Sequence, residues 1–196
     1  LGEVLALEGK LDAAREHHEM ARSIRLELGE RTNAASSALA LARIALANGQ
    51  PRLTETLAGE AERQLGPEQR DQRALAMALR IRALATEGSH SAALRLEQPL
   101  QDLAREAQNP RTAIAAAIAT AELAMALADA GRCRSALTRV EDLVVASRRD
   151  GRLPEALELE RRRRPVGRHR IAGPHNDDRN SRGRLLGCVS RRKGLR

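Results

Sequence analysis

Apolar residues recur at intervals of three and four along most of the chain, a spacing that places them on one face of an α-helix. Short stretches with glycine or several polar residues interrupt this pattern. The pattern predicts an all-α protein. The expected helices span residues 1–8, 11–28, 32–48, 51–65, 70–87, 90–107, 111–130, 133–148 and 152–160.

The same run of helix followed by glycine occurs four times. LGEVLALEG at residues 1–9 is matched by LARIALANG at residues 41–49, and shorter versions end in Gly88 and Gly131. A period of about 40 residues is typical of stacked helical repeats. Each glycine is suited to the left-handed residue that ends a first helix, and the short connection predicts an antiparallel second helix. A bundle of long helices, the alternative, does not account for the regular glycine spacing.

Small residues and polar linkers complete the repeating unit. Alanines fall where the helices of a pair would cross, and they would let the backbones approach closely: Ala14, Ala61, Ala93 and Ala136. Polar stretches at residues 29–33, 66–72 and 108–112 separate successive pairs. Pro67 and Pro110 are expected to begin helices, because proline lacks an N–H that the first turn leaves unused.

These residues resemble the tetratricopeptide repeat family. Leu1, Gly2, Gly9, Leu11, Ala14 and Ala21 follow the family's order and spacing. The period is longer than the family's common one, the first helix lacks its opening turns, and the usual aromatic positions hold Leu5, His18 and Ala58. The resemblance spans residues 1–160 and implies a right-handed solenoid of antiparallel helix hairpins. It would contain four hairpins, the first truncated, and the start of a fifth.

The length and composition of the repeats also resemble those of a larger type of protein. Arrays rich in Ala, Leu and Arg resemble the C-terminal repeat regions of large bacterial multidomain regulators. In such regulators the array follows a protein kinase domain or a DNA-binding domain. Because this chain begins at Leu1 rather than Met, we expect a fragment that lacks such an N-terminal domain.

Composition limits the core and the ligands. The chain contains no Phe, Tyr or Trp, so Leu, Ala, Ile, Val and Met must fill its core. The aromatic stacking platforms of most single-strand nucleic-acid binders are therefore missing. No apolar run approaches the roughly 20 residues of a membrane span, and a cytoplasmic location is expected.

Charge divides the chain in two. Residues 1–160 contain 21 Lys and Arg against 24 Asp and Glu, whereas residues 161–196 contain 13 basic and 2 acidic residues. The second segment has lost the apolar periodicity and is predicted to be disordered. Two explanations stay open: a genuine basic arm for nucleic acid or an acidic partner, or a reading frame that has slipped near Glu160. The slipped frame is favoured, because the chain has 32 Arg and only 2 Lys and out-of-frame reading of a GC-rich gene yields many Arg, Gly and Pro codons.

No combination of residues predicts catalysis, a cofactor or a metal. His17 and His18 are adjacent on a helix and point about 100° apart, whereas helical metal ligands share a face. His90 has no neighbouring carboxylate to orient it. Cys133 and Cys188 are too few for a disulfide framework or a zinc site. We expect a protein that is not an enzyme.

The first helix of each hairpin normally lines the concave face of such a stack. Equivalent places in successive first helices are assigned to Glu3, Arg43, Arg82 and Met125. An arginine facing a groove can hold a carboxylate through two parallel hydrogen bonds. The predicted function is a scaffold or sensory arm that binds a protein or peptide on this face. The alternative is a nucleic-acid-binding protein that acts through its basic tail.

Overall fold

Eight α-helices, without a strand, form the part of the chain that the computed structural model describes, residues 1–107 and 109–149. The predicted all-α class is confirmed. The helices are α1 (Gly2–Leu7), α2 (Leu11–Glu27), α3 (Arg31–Ala47), α4 (Pro51–Gln64), α5 (Arg70–Thr86), α6 (His90–Arg105), α7 (Pro110–Ala126) and α8 (Ala130–Arg149). The helix predicted at residues 152–160 and the tail at residues 161–196 lie outside the described residues.

Five helices end in the same backbone turn. One residue with a positive φ angle follows each of α1, α2, α3, α5 and α7: Gly9, Gly29, Gly49, Gly88 and Ala128. At Gly88, the N–H donates to the Ala85 carbonyl at 3.2 Å, and the Ser89 N–H donates to the Leu84 carbonyl at 2.8 Å. These bonds satisfy carbonyls that the helix end would leave without partners.

The turn that ends α7 differs from the prediction. Ala128, with a φ of 55°, ends α7, whereas Gly131 lies in the first turn of α8. The predicted boundary between residues 130 and 133 is therefore wrong. The left-handed conformation favours glycine, but alanine adopts it at a cost of about 1–2 kcal/mol, so the nearest glycine did not mark the turn. Gly9, Gly49, Gly88 and Ala128 stand 39 or 40 residues apart, a more regular repeat than the glycines alone suggest.

Proline begins two helices, α4 and α7. Pro110 occupies the first turn of α7, as predicted, and Pro51 does the same in α4. The start predicted at Pro67 is wrong, because this residue lies in a turn before α5. In that turn the Gln69 side chain accepts a hydrogen bond from the Gly66 N–H at 2.7 Å.

The core follows the order of the helices. Within the described residues, extensive contacts join helices that are one or two places apart in sequence. One buried cluster joins α3, α4 and α5, a second joins α5, α6 and α7, and a third joins α7 and α8. Since α5 and α7 each contribute to two clusters, the core continues from one helix pair to the next.

Alanine makes this packing possible. The helices α3, α5 and α7 bury residues on most of their sides, whereas α4 and α6 bury a single stripe. The predicted burial of the crossing alanines is confirmed: Ala14, Ala61 and Ala93 are fully buried, and Ala136 is nearly so. A helix enclosed on most sides needs small side chains, because neighbouring backbones approach it from several directions.

Ion pairs connect helices that are one or two places apart in sequence. Arg22 on α2 reaches Glu60 on α4 at 2.8 Å, and Arg132 on α8 forms an ion pair with Glu97 on α6. Arg80 on α5 bonds both Glu55 and Glu62 on α4. Although burial lowers the pKa of Arg80, the hydrogen bonds to the two carboxylates outweigh it, and the net shift is upward. The bond to Glu97 raises the pKa of Arg132.

Candidate interaction groove

Residues from α1, α3, α5 and α7 line one groove with a cavity volume of about 240 Å³. The floor is apolar and is formed by Leu39, Ala40, Leu75, Ala78, Leu79, Ile114, Ala115 and Ile118. The polar lining residues are Glu3, Ser36, Arg43, Gln72, Arg82 and Arg111. We call this site the groove.

One position of the sequence recurs along the charged side of the groove: Glu3, Arg43 and Arg82 line the groove, and Glu122 bonds Arg82 from outside the lining. Glu3, Arg43, Arg82 and Glu122 each stand six residues before the positive-φ residue that ends their helix. Equivalent positions on stacked helices form a row across them. We call these four residues the charged row. Its signs read acid, base, base, acid.

Each acid of the charged row is paired with its neighbouring base. Arg82 donates from Nε to Glu122 at 2.7 Å and from Nη2 to the same carboxylate at 2.8 Å, a bidentate pair between α5 and α7. Arg43 Nη1 lies 3.7 Å from a Glu3 carboxylate oxygen, an ion pair without a hydrogen bond. The Arg82 side chain is 19% exposed and that of Arg43 is 40% exposed, so Arg43 is the more accessible guanidinium.

Three of the four residues assigned to this face line the groove together: Glu3, Arg43 and Arg82. Met125 is 57% exposed and is not among the residues that line it. Met125 was aligned on Gly131, whereas the turn lies at Ala128, which moves the equivalent position to Glu122. Glu122 does not line the groove either, but it bonds Arg82; a strict 40-residue step from Arg82 would have identified this position.

The opposite side of the groove is polar and bridges two helices. Gln72 on α5 donates from Nε2 to the Ser36 hydroxyl on α3 at 3.0 Å. Arg111, in the first turn of α7, adds a third guanidinium to the lining. The groove therefore has an apolar floor between two polar sides, which matches an amphipathic peptide better than a wholly polar ligand.

His18 lies beside the groove, in a smaller cavity of about 140 Å³ that Glu3 and Arg43 also line. Its Nε2 is buried and has no hydrogen-bond partner among the described residues. A Cβ atom on Gly2 would lie 2.7 Å from this nitrogen, so His18 packs directly against the backbone of α1. Burial lowers the pKa of His18, and the nearby Glu3 carboxylate partly opposes the shift. The neighbouring His17 is exposed.

The other candidate residues are dispersed. His90 is the first residue of α6, and Cys133 is partly buried in the first turn of α8. In residues 1–107 and 109–149, His, Cys, Asp and Glu side chains nowhere form a group of three that could hold a metal ion. Over the same residues, every helix is too short or too polar to cross a membrane.

Comparison with protein-family models, with curated proteins and with solved structures finds no match to this chain. The groove is therefore interpreted from its own residues.

Proposed function

We propose that this chain is a protein-interaction scaffold that binds a peptide or a helix in the groove. The proposal includes a right-handed solenoid of antiparallel helix hairpins of the tetratricopeptide type. One observation carries it: the charged row and the apolar floor recur at equivalent positions of successive first helices. A surface built from repeated positions presents regularly spaced contacts, which suit a ligand that is itself a regular chain.

The chemistry of the lining favours binding over catalysis. Its polar groups are three arginines, one glutamate, one serine and one glutamine. The Ser36 hydroxyl lies beside Gln72, and among the described residues no histidine, lysine or second carboxylate lines the groove to act as its base. We propose a sensory or scaffolding arm of a larger bacterial regulator in the cytoplasm, with no reaction of its own.

A random-peptide display library tests the proposal. Peptides that the full chain enriches are synthesised with a fluorophore, and their affinities are measured by fluorescence anisotropy. Leu75→Glu places a charge on the half-buried groove floor, and Leu94→Glu makes the same change at a leucine of α6 that is 40% exposed and outside the lining.

We expect Leu75→Glu to weaken binding at least tenfold and Leu94→Glu to leave it unchanged, with equal helicity by circular dichroism. Peptides that bind both variants equally, or no enrichment over the bare support, would reject the groove as the binding surface.

The basic segment at residues 161–196 motivates a second candidate function, because 13 of its 36 residues are Lys or Arg. Binding of the full chain to labelled single-stranded and double-stranded DNA is measured over a salt series. A chain ending at Glu160 serves as the comparison. Nucleic-acid binding requires a steep loss of affinity with salt that the shortened chain does not reproduce; equal affinities of the two chains would exclude the segment.

A further inference from the structure

The signs of the charged row define the ligand more narrowly than the groove alone. Its two inner members, Arg43 and Arg82, stand on the neighbouring helices α3 and α5. Its two outer members, Glu3 and Glu122, stand on α1 and α7. Positive charge is therefore concentrated in the middle of the row, and negative charge lies at both ends.

Both inner arginines have hydrogen-bonding capacity that the described residues do not use. Arg82 bonds Glu122 through Nε and Nη2, and its Nη1 makes no hydrogen bond to residues 1–107 or 109–149. Arg43 makes no hydrogen bond to the described residues, and its contact with Glu3, at 3.7 Å, is an ion pair only. A guanidinium whose donors are unused and partly screened from water binds a carboxylate more strongly than an exposed one.

From this geometry we infer that the groove selects a peptide with one acidic side chain at its centre, bound between Arg43 and Arg82. Its apolar side chains lie on the floor beside Leu39, Leu75 and Ile118. The inference rests on the proposed function and adds the chemical class of the ligand. Residues 1–160 carry more acidic than basic residues, so this region offers no general attraction to an acidic peptide, and the attraction has to come from the two arginines.

The outer acids restrict how much negative charge the ligand can carry. A polyanion lying along the row would bring negative charge against Glu3 and Glu122 as well as against the arginines. Nucleic acid carries a phosphate at every nucleotide and would meet that repulsion at both ends. A single carboxylate avoids it, and basic residues on either side of the carboxylate would pair with the outer acids.

The test selects random displayed peptides on the full chain and measures the enriched peptides by anisotropy. We expect a single Asp or Glu to be enriched within an apolar sequence, and its replacement by Asn or Gln to weaken binding at least tenfold. Arg43→Gln should cause a similar loss, whereas Arg95→Gln, on α6 and outside the lining, should cause none.

An inverted row supplies a variant that keeps both ion pairs. Glu3→Arg, Arg43→Glu, Arg82→Glu and Glu122→Arg together change the order to base, acid, acid, base. We expect this variant to lose the acidic peptide and to bind the same peptide with Lys in place of the acid, at least tenfold better than the original chain does. Equal helicity by circular dichroism establishes that the inverted row has folded.

The possible outcomes test the acidic ligand and the proposed function separately. Enrichment of neutral or basic peptides that the Leu75→Glu variant no longer binds would overturn the acidic ligand. The groove would still be a binding surface in that case. An inverted row that keeps its preference for the acidic peptide would also overturn it. If no peptide is enriched at all, both the ligand class and the proposed function are rejected.

Discussion

Arg82 on α5 and Glu122 on α7 are 40 residues apart in sequence and form a bidentate ion pair with N–O distances of 2.7 and 2.8 Å. The Arg82 side chain is 19% exposed and the Glu122 side chain 33%. The pair therefore joins two first helices at a partly buried position. It also engages one of the three guanidiniums that line the groove.

A double-mutant cycle with Arg82→Gln and Glu122→Gln measures this pair. We expect a coupling free energy of about 1 kcal/mol from urea unfolding, falling as salt is added. The control cycle uses Arg15 and Glu19, an exposed pair on α2 separated by 3.9 Å, for which about 0.3–0.5 kcal/mol or less is expected. Additive effects at Arg82 and Glu122 would show that the contact contributes nothing to stability.

The turn at Ala128 is strained, and its glycine counterpart at Gly88 is not. Ala128→Gly should raise the free energy of unfolding by about 0.5–1 kcal/mol, because relief of the left-handed strain exceeds the entropy that glycine adds to the unfolded chain. Gly88→Ala should lower it by about 1 kcal/mol. A Cβ atom at Gly88 would meet nothing within 4 Å, so the backbone conformation alone sets that cost. Thermal unfolding of both variants checks that the two changes in stability have opposite signs. A destabilised Ala128→Gly variant would contradict the prediction.

His18 should make stability depend on pH. Burial lowers its pKa below the ordinary 6.5, so the unfolded chain takes up a proton at a higher pH than the folded chain. The contribution of neutral His18 is complete above pH 6.5 and is lost as the pH falls towards the folded pKa.

Urea unfolding between pH 7.5 and 5 measures this dependence. His18→Gln should flatten the curve over that range, whereas His17→Gln, at the exposed neighbouring position, should leave its slope unchanged. Parallel curves for the original chain and His18→Gln would assign the pH dependence to other groups.

Ala93 on α6 is fully buried within the cluster that joins α5, α6 and α7. Ala93→Leu should lower the free energy of unfolding by about 1–3 kcal/mol, because the larger side chain cannot enter a closely packed crossing without moving its neighbours. Ala146→Leu, at an exposed position of α8, is the control and should change stability by less than about 0.5 kcal/mol. Equal melting temperatures for the original chain and Ala93→Leu would show that the crossing has spare room.

The sequence by itself determined the local features of this protein. Apolar spacing predicted the helices, glycines predicted most of the turns, and small side chains marked Ala14, Ala61 and Ala93 as buried. The helices and turns depend on interactions between residues close in sequence. The buried alanines were predictable because a small side chain at a crossing lets two helix backbones approach closely. The turn after α7 was not predicted at the right residue, because Ala128 adopts a left-handed conformation that alanine does not signal in the sequence.

Only the tertiary structure decided which charged side chains meet. That Glu122 rather than Met125 continues the row depends on where α7 ends. That Arg82 bonds Glu122 on α7 twice, while Arg43 comes no closer than 3.7 Å to Glu3 on α1, depends on how these helices lie against each other. The enclosure of His18 against Gly2 depends on how α1 lies across α2. A charged residue carries the same sequence signal whether it is solvated or paired, and only the distance between helices distinguishes the two.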